Sequence, residues 1–157
     1  FADESQRVQY AAKGSLPMFN MEKIRDEIAR QTSASNLTKP EEVAKTMTTY
    51  FEGQSIRYNR SLTVMQNKEA DINDRISAIR FLRNYNNHQQ VPTLLTILKD
   101  QTDDLEVRVV LAEALGWFRW SFQKDTIAQA LKEVSKSKNT PKELREEIEQ
   151  SLIRLQF

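Results

Sequence analysis

Few residues in this 157-residue chain have the types and spacing that catalysis needs. His88 is the single histidine and there is no cysteine, which excludes thiolate nucleophiles, disulfides and cysteine metal sites. A histidine base needs a nucleophile and an orienting partner, and a zinc site needs three or four converging ligands. His88 follows Asn86 and Asn87 and reads as a solvated turn residue. Asp71, Asp74, Asp103 and Asp104 lack the alternating carboxylates, central glycine and distal glutamate of a calcium loop. They read more simply as helix N-caps, where a carboxylate meets free backbone N–H groups. Three scattered glycines make neither a phosphate loop nor a nucleophile elbow. No catalytic residue, cofactor or metal ligand is expected.

Two other groups stand out. Trp117, Phe118, Trp120 and Phe122 cluster around Arg119. Such a cluster is either an interaction hot spot or a turn folded back to seal the core, with Phe118 and Trp120 buried and Arg119 stacked on an indole. Burial is the ordinary fate of such residues. The second group is Arg75, Arg108 and Arg145, which recur at intervals of 33 and 37 residues. Charges that recur at a repeat period are usually structural, each arginine pairing with an acid in its own or the neighbouring turn.

The elements that position these residues are helical. With only 3 Gly and 4 Pro, the chain has little of the turn chemistry that sheets consume, while Ala, Leu, Glu, Lys, Gln and Arg favour helices. Hydrophobic residues are 39% and charged residues 29%, which suits a globular core under a polar surface. The 23 basic and 22 acidic residues leave a net charge of +1 without a basic stripe, so nucleic acid and anionic membrane are not expected partners. No apolar run approaches the ~20 residues of a transmembrane helix. A start at Phe1 rather than Met fits a processed, exported chain, periplasmic or secreted, with the cytoplasm as the alternative.

Val8, Ala11 and Ala12 suggest a short apolar face ending at Gly14. Asn20 caps a helix carrying Met21, Ile24 and Ile28, and the polar run from Gln31 to Asn36 reads as a linker. Thr38-Lys39-Pro40-Glu41 opens the next helix. Gly53 is expected to close it, with Tyr58, Leu62 and Met65 on a separate one. From Ala70 the pattern repeats. Ile72, Ile76, Ile79 and Leu82 form an inner face, and Val91-Pro92 starts a partner helix with Leu94, Leu95 and Leu98. Asp103-Asp104-Leu105-Glu106 reads as a capping box before a second copy. That copy carries Leu111, Ala112, Leu115 and Gly116, and its partner helix carries Ile127, Ala130, Leu131 and Val134. A third box, Thr140-Pro141-Lys142-Glu143, precedes Arg145, Ile148 and Leu152. The same register from three arginines at this period signals stacked helical hairpins. A single hairpin cannot bury its apolar face alone, and stacking makes one continuous core.

Residues 70–157 resemble HEAT repeats. Val107-Arg108-Val109-Val110-Leu111-Ala112-Glu113-Ala114-Leu115-Gly116 is similar to the first-helix motif of that family. Asp71 and Asp104, each four residues before a repeat arginine, match its acidic turn position, and Pro92 through Asp100 resembles its second helix. Two departures stand out: Arg83 where the second copy has Gly116, and an inter-helix turn read as about three residues longer in the second copy, through Trp117 to Phe122. The resemblance implies an all-α, right-handed α-α superhelix, a short solenoid of about eight or nine helices. Residues 1–66 form an N-terminal helical segment, read as a diverged capping repeat, and 67–157 carry the repeats in one continuous domain.

A repeat scaffold implies binding in general rather than one ligand. The expected function is a non-enzymatic protein–protein interaction module. Second helices would present Gln90, Thr93, Thr96, Lys99, Gln129, Lys132 and Lys136 to a protein or peptide of acidic character, with Trp117, Arg119 and Trp120 as further contacts. One alternative is a HEAT-like enzyme acting on DNA bases or a tetrapyrrole, with Trp117, Trp120 and Asp125 as the residues to test. Another is a structural or dimerisation domain of a larger exported or membrane-anchored protein.

Overall fold

The computed structural model describes residues 40–85 and 88–156, with Asp26 and Arg30 as isolated helical positions. The helix expected at Asn20, the polar linker after it, the apolar face before Gly14 and the Thr38 cap lie outside the described residues. Residues 61–157 belong to one compact unit and residues 15–60 to another.

The described residues form helices and turns, with no strand among them. Six α-helices follow in order: α1 (Pro40–Gln66), α2 (Ile72–Arg83), α3 (Val91–Lys99), α4 (Leu105–Gly116), α5 (Lys124–Lys136) and α6 (Lys142–Gln156). A 3-10 turn, His88–Gln90, leads into α3. The chain is therefore all-α over its described residues. None of these helices is long and apolar enough to cross a membrane.

Gly53 does not close a helix. It lies inside the 27-residue α1, and Tyr58, Leu62 and Met65 continue the same rod. A glycine costs about 1 kcal/mol against alanine within a helix, which thirteen helical residues on either side outweigh.

In the unit 61–157, α4 packs against α2 on one side and α6 on the other. The second helices α3 and α5 also pack together, α3 against α4 and α5 against α6. The middle position of α4 explains its composition. Val107, Val110, Leu111, Ala112, Ala114 and Leu115 are all buried, so the helix is apolar nearly all round. The outer helices bury one stripe each: Ile76, Ala78, Ile79 and Leu82 on α2, and Leu144, Ile148, Ser151 and Leu155 on α6. Ile72, expected inside, is 38% exposed in the first turn of α2. Leu152, expected at the inner register of α6, is only half-buried, because the stripe turned to α4 runs through Ser151.

Helix starts follow the caps only in part. Asp71 accepts from Asn73 N at 2.8 Å and Asp74 N at 3.3 Å, and Asp104 accepts from Glu106 N and Val107 N at the same two distances. Asp103 is not the cap of α4, so the expected box beginning there does not form. Thr140 does not cap α6 either; its hydroxyl donates back to the Val134 carbonyl.

The extra residues of the second copy lie elsewhere than expected. α2 ends at Arg83 and α3 begins at Val91; α4 ends at Gly116 and α5 begins at Lys124. Both starts and both ends are 33 residues apart, so the two connections have equal length. α5 instead runs 13 residues against 9 for α3. Four added residues make about one helical turn, which keeps the apolar face in register.

Candidate functional site

The recurring arginines occupy comparable places and meet different partners. Arg75 Nε donates to the Met65 carbonyl at 3.1 Å, and Arg108 Nε donates to the Leu98 carbonyl at 3.0 Å. Each arginine thus ties down a carbonyl at the end of the preceding helix, ten residues back in both copies. Both side chains are buried, at 2% and 4% exposure.

Their outer nitrogens differ. Arg75 makes a two-pronged ion pair with Asp103, Nη1 to Oδ1 at 2.7 Å and Nη2 to Oδ2 at 2.8 Å. This hydrogen-bonded carboxylate raises the Arg75 pKa above its ordinary value, against the opposing effect of burial. Burial pushes the Asp103 carboxyl up, but Arg75 and the Asp104 backbone N–H together hold it below the usual carboxylate range. Arg108 has no carboxylate partner among the described residues, and its two terminal nitrogens carry no hydrogen bond there. Burial lowers its pKa, offset only in part by the charges of Asp100 and Asp103. Arg145 is exposed and donates to the Thr140 carbonyl at 3.2 Å. Of the expected ladder, only the Arg75–Asp103 rung is an ion pair among the described residues.

Sequence position accounts for the difference. Asp103 stands five residues before Arg108, Ala70 five before Arg75 and Thr140 five before Arg145. Arg75 reaches forward to the residue at this position in the next turn. For Arg108 that residue is Thr140, which has no charge.

Two clefts open at this edge. One, of about 370 Å³, is lined by Gln66, Lys68, Thr93, Thr96, Ile97, Asp100 and Asp103. Lys68 donates to Asp100 at 2.5 Å and to Thr102 at 2.9 Å, and the Lys68 and Thr102 bonds hold the half-buried Asp100 carboxyl well below the usual range. The other, of about 200 Å³, is lined by Lys99, Gln101, Arg108, Glu133, Val134, Ser137 and Thr140. On its rim Lys99 donates to Glu133 at 3.1 Å and Gln129 donates to the same carboxylate at 3.2 Å, lowering the Glu133 pKa. The structure thus brings two expected contact residues, Lys99 and Gln129, together on α3 and α5 around Glu133. Lys132 and Thr96 are exposed nearby in the same two helices, Gln90 and Thr93 are half-buried, and Lys136 is exposed at the end of α5.

The aromatic turn divides between the two expected fates. Phe118 is buried at 2%, Trp120 is half-buried, and Trp117 and Phe122 are exposed at 44% and 61%. Trp117 donates its Nε1 proton to Glu113 at 2.7 Å and lies near Arg83 and Arg154, 5.9 and 5.8 Å from its ring centre. Arg119 sits 5.2 Å from the Trp120 ring. Trp120 Nε1 is buried without a hydrogen-bond partner among the described residues. His88 begins the 3-10 turn, half-buried and edge-on to Phe122 at 5.8 Å, rather than standing free in solvent. Asp125 is exposed in the first turn of α5.

Gly116 has a packing role. A Cβ there would lie 2.9 Å from the Ser151 Cα and Cβ atoms and from Arg154 Nε. Its absence lets α6 approach α4, where the Ser151 hydroxyl donates to the Ala112 carbonyl at 2.8 Å. In the first copy Arg83 takes this register and pairs with Glu113 at 2.6 Å.

Among the described residues no three His, Asp or Glu side chains are grouped so as to hold a metal ion. No family model matches the chain, and no curated protein or solved structure is detectably similar to it.

Proposed function

We propose that the chain is a non-enzymatic protein–protein interaction module, a short right-handed α-α superhelix of HEAT-like repeats. The observation that carries this reading is the equivalence of the two copies. Each places a buried arginine against a carbonyl ten residues back, and the second helices α3 and α5 pack side by side. Such a stack offers an extended surface rather than a closed pocket. In this reading the residues before 66 supply a diverged capping repeat, bringing the helices to about eight or nine. The polar row Thr96, Lys99, Gln129 and Lys132 on α3 and α5 is the contact surface, and the partner is a protein or peptide with acidic character.

The experiment is charge reversal on that row. Lys132→Glu and Lys99→Glu together should weaken a captured partner by about tenfold or more while leaving the helical circular-dichroism signal intact. Partner binding indifferent to both reversals, together with turnover in an activity screen, would contradict this reading.

A further inference from the structure

Resting on this scaffold reading, we propose that the cleft over Arg108 is an oxyanion site that takes a carboxylate from a peptide or protein partner, in the place that Asp103 takes over Arg75. Three observations carry it. Arg108 is buried, at 4% exposure, and lines the cleft, yet its terminal nitrogens have no hydrogen-bond partner among the described residues. A buried cation of this kind is costly unless it is paired. Second, the cleft is positive. Its charged lining is Lys99, Arg108 and Glu133, and Lys99 and Glu133 already neutralise each other on the rim. The neighbouring acids are committed elsewhere: Asp103 to Arg75 and Asp100 to Lys68. Third, the same molecule contains the closed form of the site, a two-pronged carboxylate on Arg75 supplied by the residue for which Thr140 stands in the next copy. The guanidinium fork matches a planar carboxylate two bonds at a time. A space of about 200 Å³ admits one acidic side chain, with Gln101 and Ser137 available to its second oxygen.

The test is nuclear magnetic resonance titration of the full chain with a blocked peptide carrying one glutamate, its glutamine twin, and inorganic phosphate, all at matched ionic strength. Saturable shifts in residues 99–101 and 137–140 are expected for the glutamate peptide, with the glutamine twin about tenfold or more weaker. Thr140→Asp places the missing acid in the chain and should abolish the saturable response. Arg108→Gln should abolish it as well, and the Thr140 variant decides the matter if that protein fails to fold. Equal binding of the two twins, or an unchanged response in Thr140→Asp, overturns the proposal. A response to phosphate without one to the glutamate peptide overturns the carboxylate assignment. A partner captured equally by wild type and Thr140→Asp, with no glutamate-peptide response, removes the site and leaves the scaffold reading. A glutamate-specific response in a protein that also shows turnover supports the site and removes the scaffold reading instead.

Discussion

The helix pairs α2–α3 and α4–α5, whose starts lie 33 residues apart, solve one problem in two ways. Each buries an arginine beside the end of the preceding helix, and each uses its Nε proton to satisfy a carbonyl there. The first copy finishes the task with Asp103, so its seam is electrically closed. The second meets Thr140, and its arginine is left without a carboxylate among the described residues. The copies also trade size at one register: Arg83 reaches across to Glu113 in the first, and Gly116 admits α6 in the second. Equivalent positions therefore need not share their chemistry. One backbone arrangement can hold an ion-paired arginine in one copy and, among the described residues, a buried arginine without a carboxylate in the next.

The largest effect should come from opening the closed seam. Asp103→Ala strands Arg75 in a site where both partners are 2% exposed; such a break costs about 3–5 kcal/mol. Thr140→Ala at the matching position should cost only about 1 kcal/mol, the value of one hydroxyl bond. Urea unfolding of the two variants checks the contrast, and equal losses would break it.

Next in size is Gly116→Ala. The added methyl would press on the Ser151 backbone, which cannot swing away as a side chain can, and overpacking of this kind costs about 1–3 kcal/mol. Arg83→Ala, at the same register in the first copy, should cost at most about 1 kcal/mol because its ion pair is partly open to solvent. Thermal unfolding midpoints should rank the pair in that order.

Acid should reveal the closed seam more gently. The Asp103 pKa is lower in the folded chain than its unfolded value, so its contribution is present above about pH 4 and is lost as pH falls through the folded value. Urea midpoints taken from pH 6 downward should therefore drop below about pH 4 in the wild type, and less steeply in Asp103→Asn. The smallest effects belong to the rim. Lys68→Ala and Lys99→Ala remove exposed pairs with Asp100 and Glu133, and each should cost below about 1 kcal/mol by the same unfolding assay.

Much of the helix order after residue 70 was legible from periodicity. Apolar spacing placed α2 through α6, and the register of Arg75 and Arg108 identified equivalent positions. Asp71 and Asp104 were legible as caps because capping is a local interaction. What escaped depends on neighbours distant in sequence. Asp103 reads as a cap by its local context, and only the packing of α2 beside α4 shows it to be the partner of Arg75. Counting five residues back from each arginine exposes Ala70, Asp103 and Thr140 as one position, and that was the available signal. The additional turn of α5 was misplaced into the aromatic connection because a whole added turn leaves the 3.6-residue pattern unbroken. The role of Glu133 in gathering Lys99 and Gln129 likewise emerges only once α3 lies beside α5.

The difference between the two seams can be read at the arginines themselves. In nitrogen-detected spectra of the side chains, Arg75 should show slowly rotating, solvent-protected Nη protons, because Asp103 holds both of its terminal nitrogens. Arg108 should show a protected Nε proton, bonded to Leu98, with Nη protons averaged by rotation and exchange. Thr140→Asp should convert the Arg108 pattern into that of Arg75. Equally protected Nη protons on both arginines of the wild type would contradict the claim that one seam is closed and the other open.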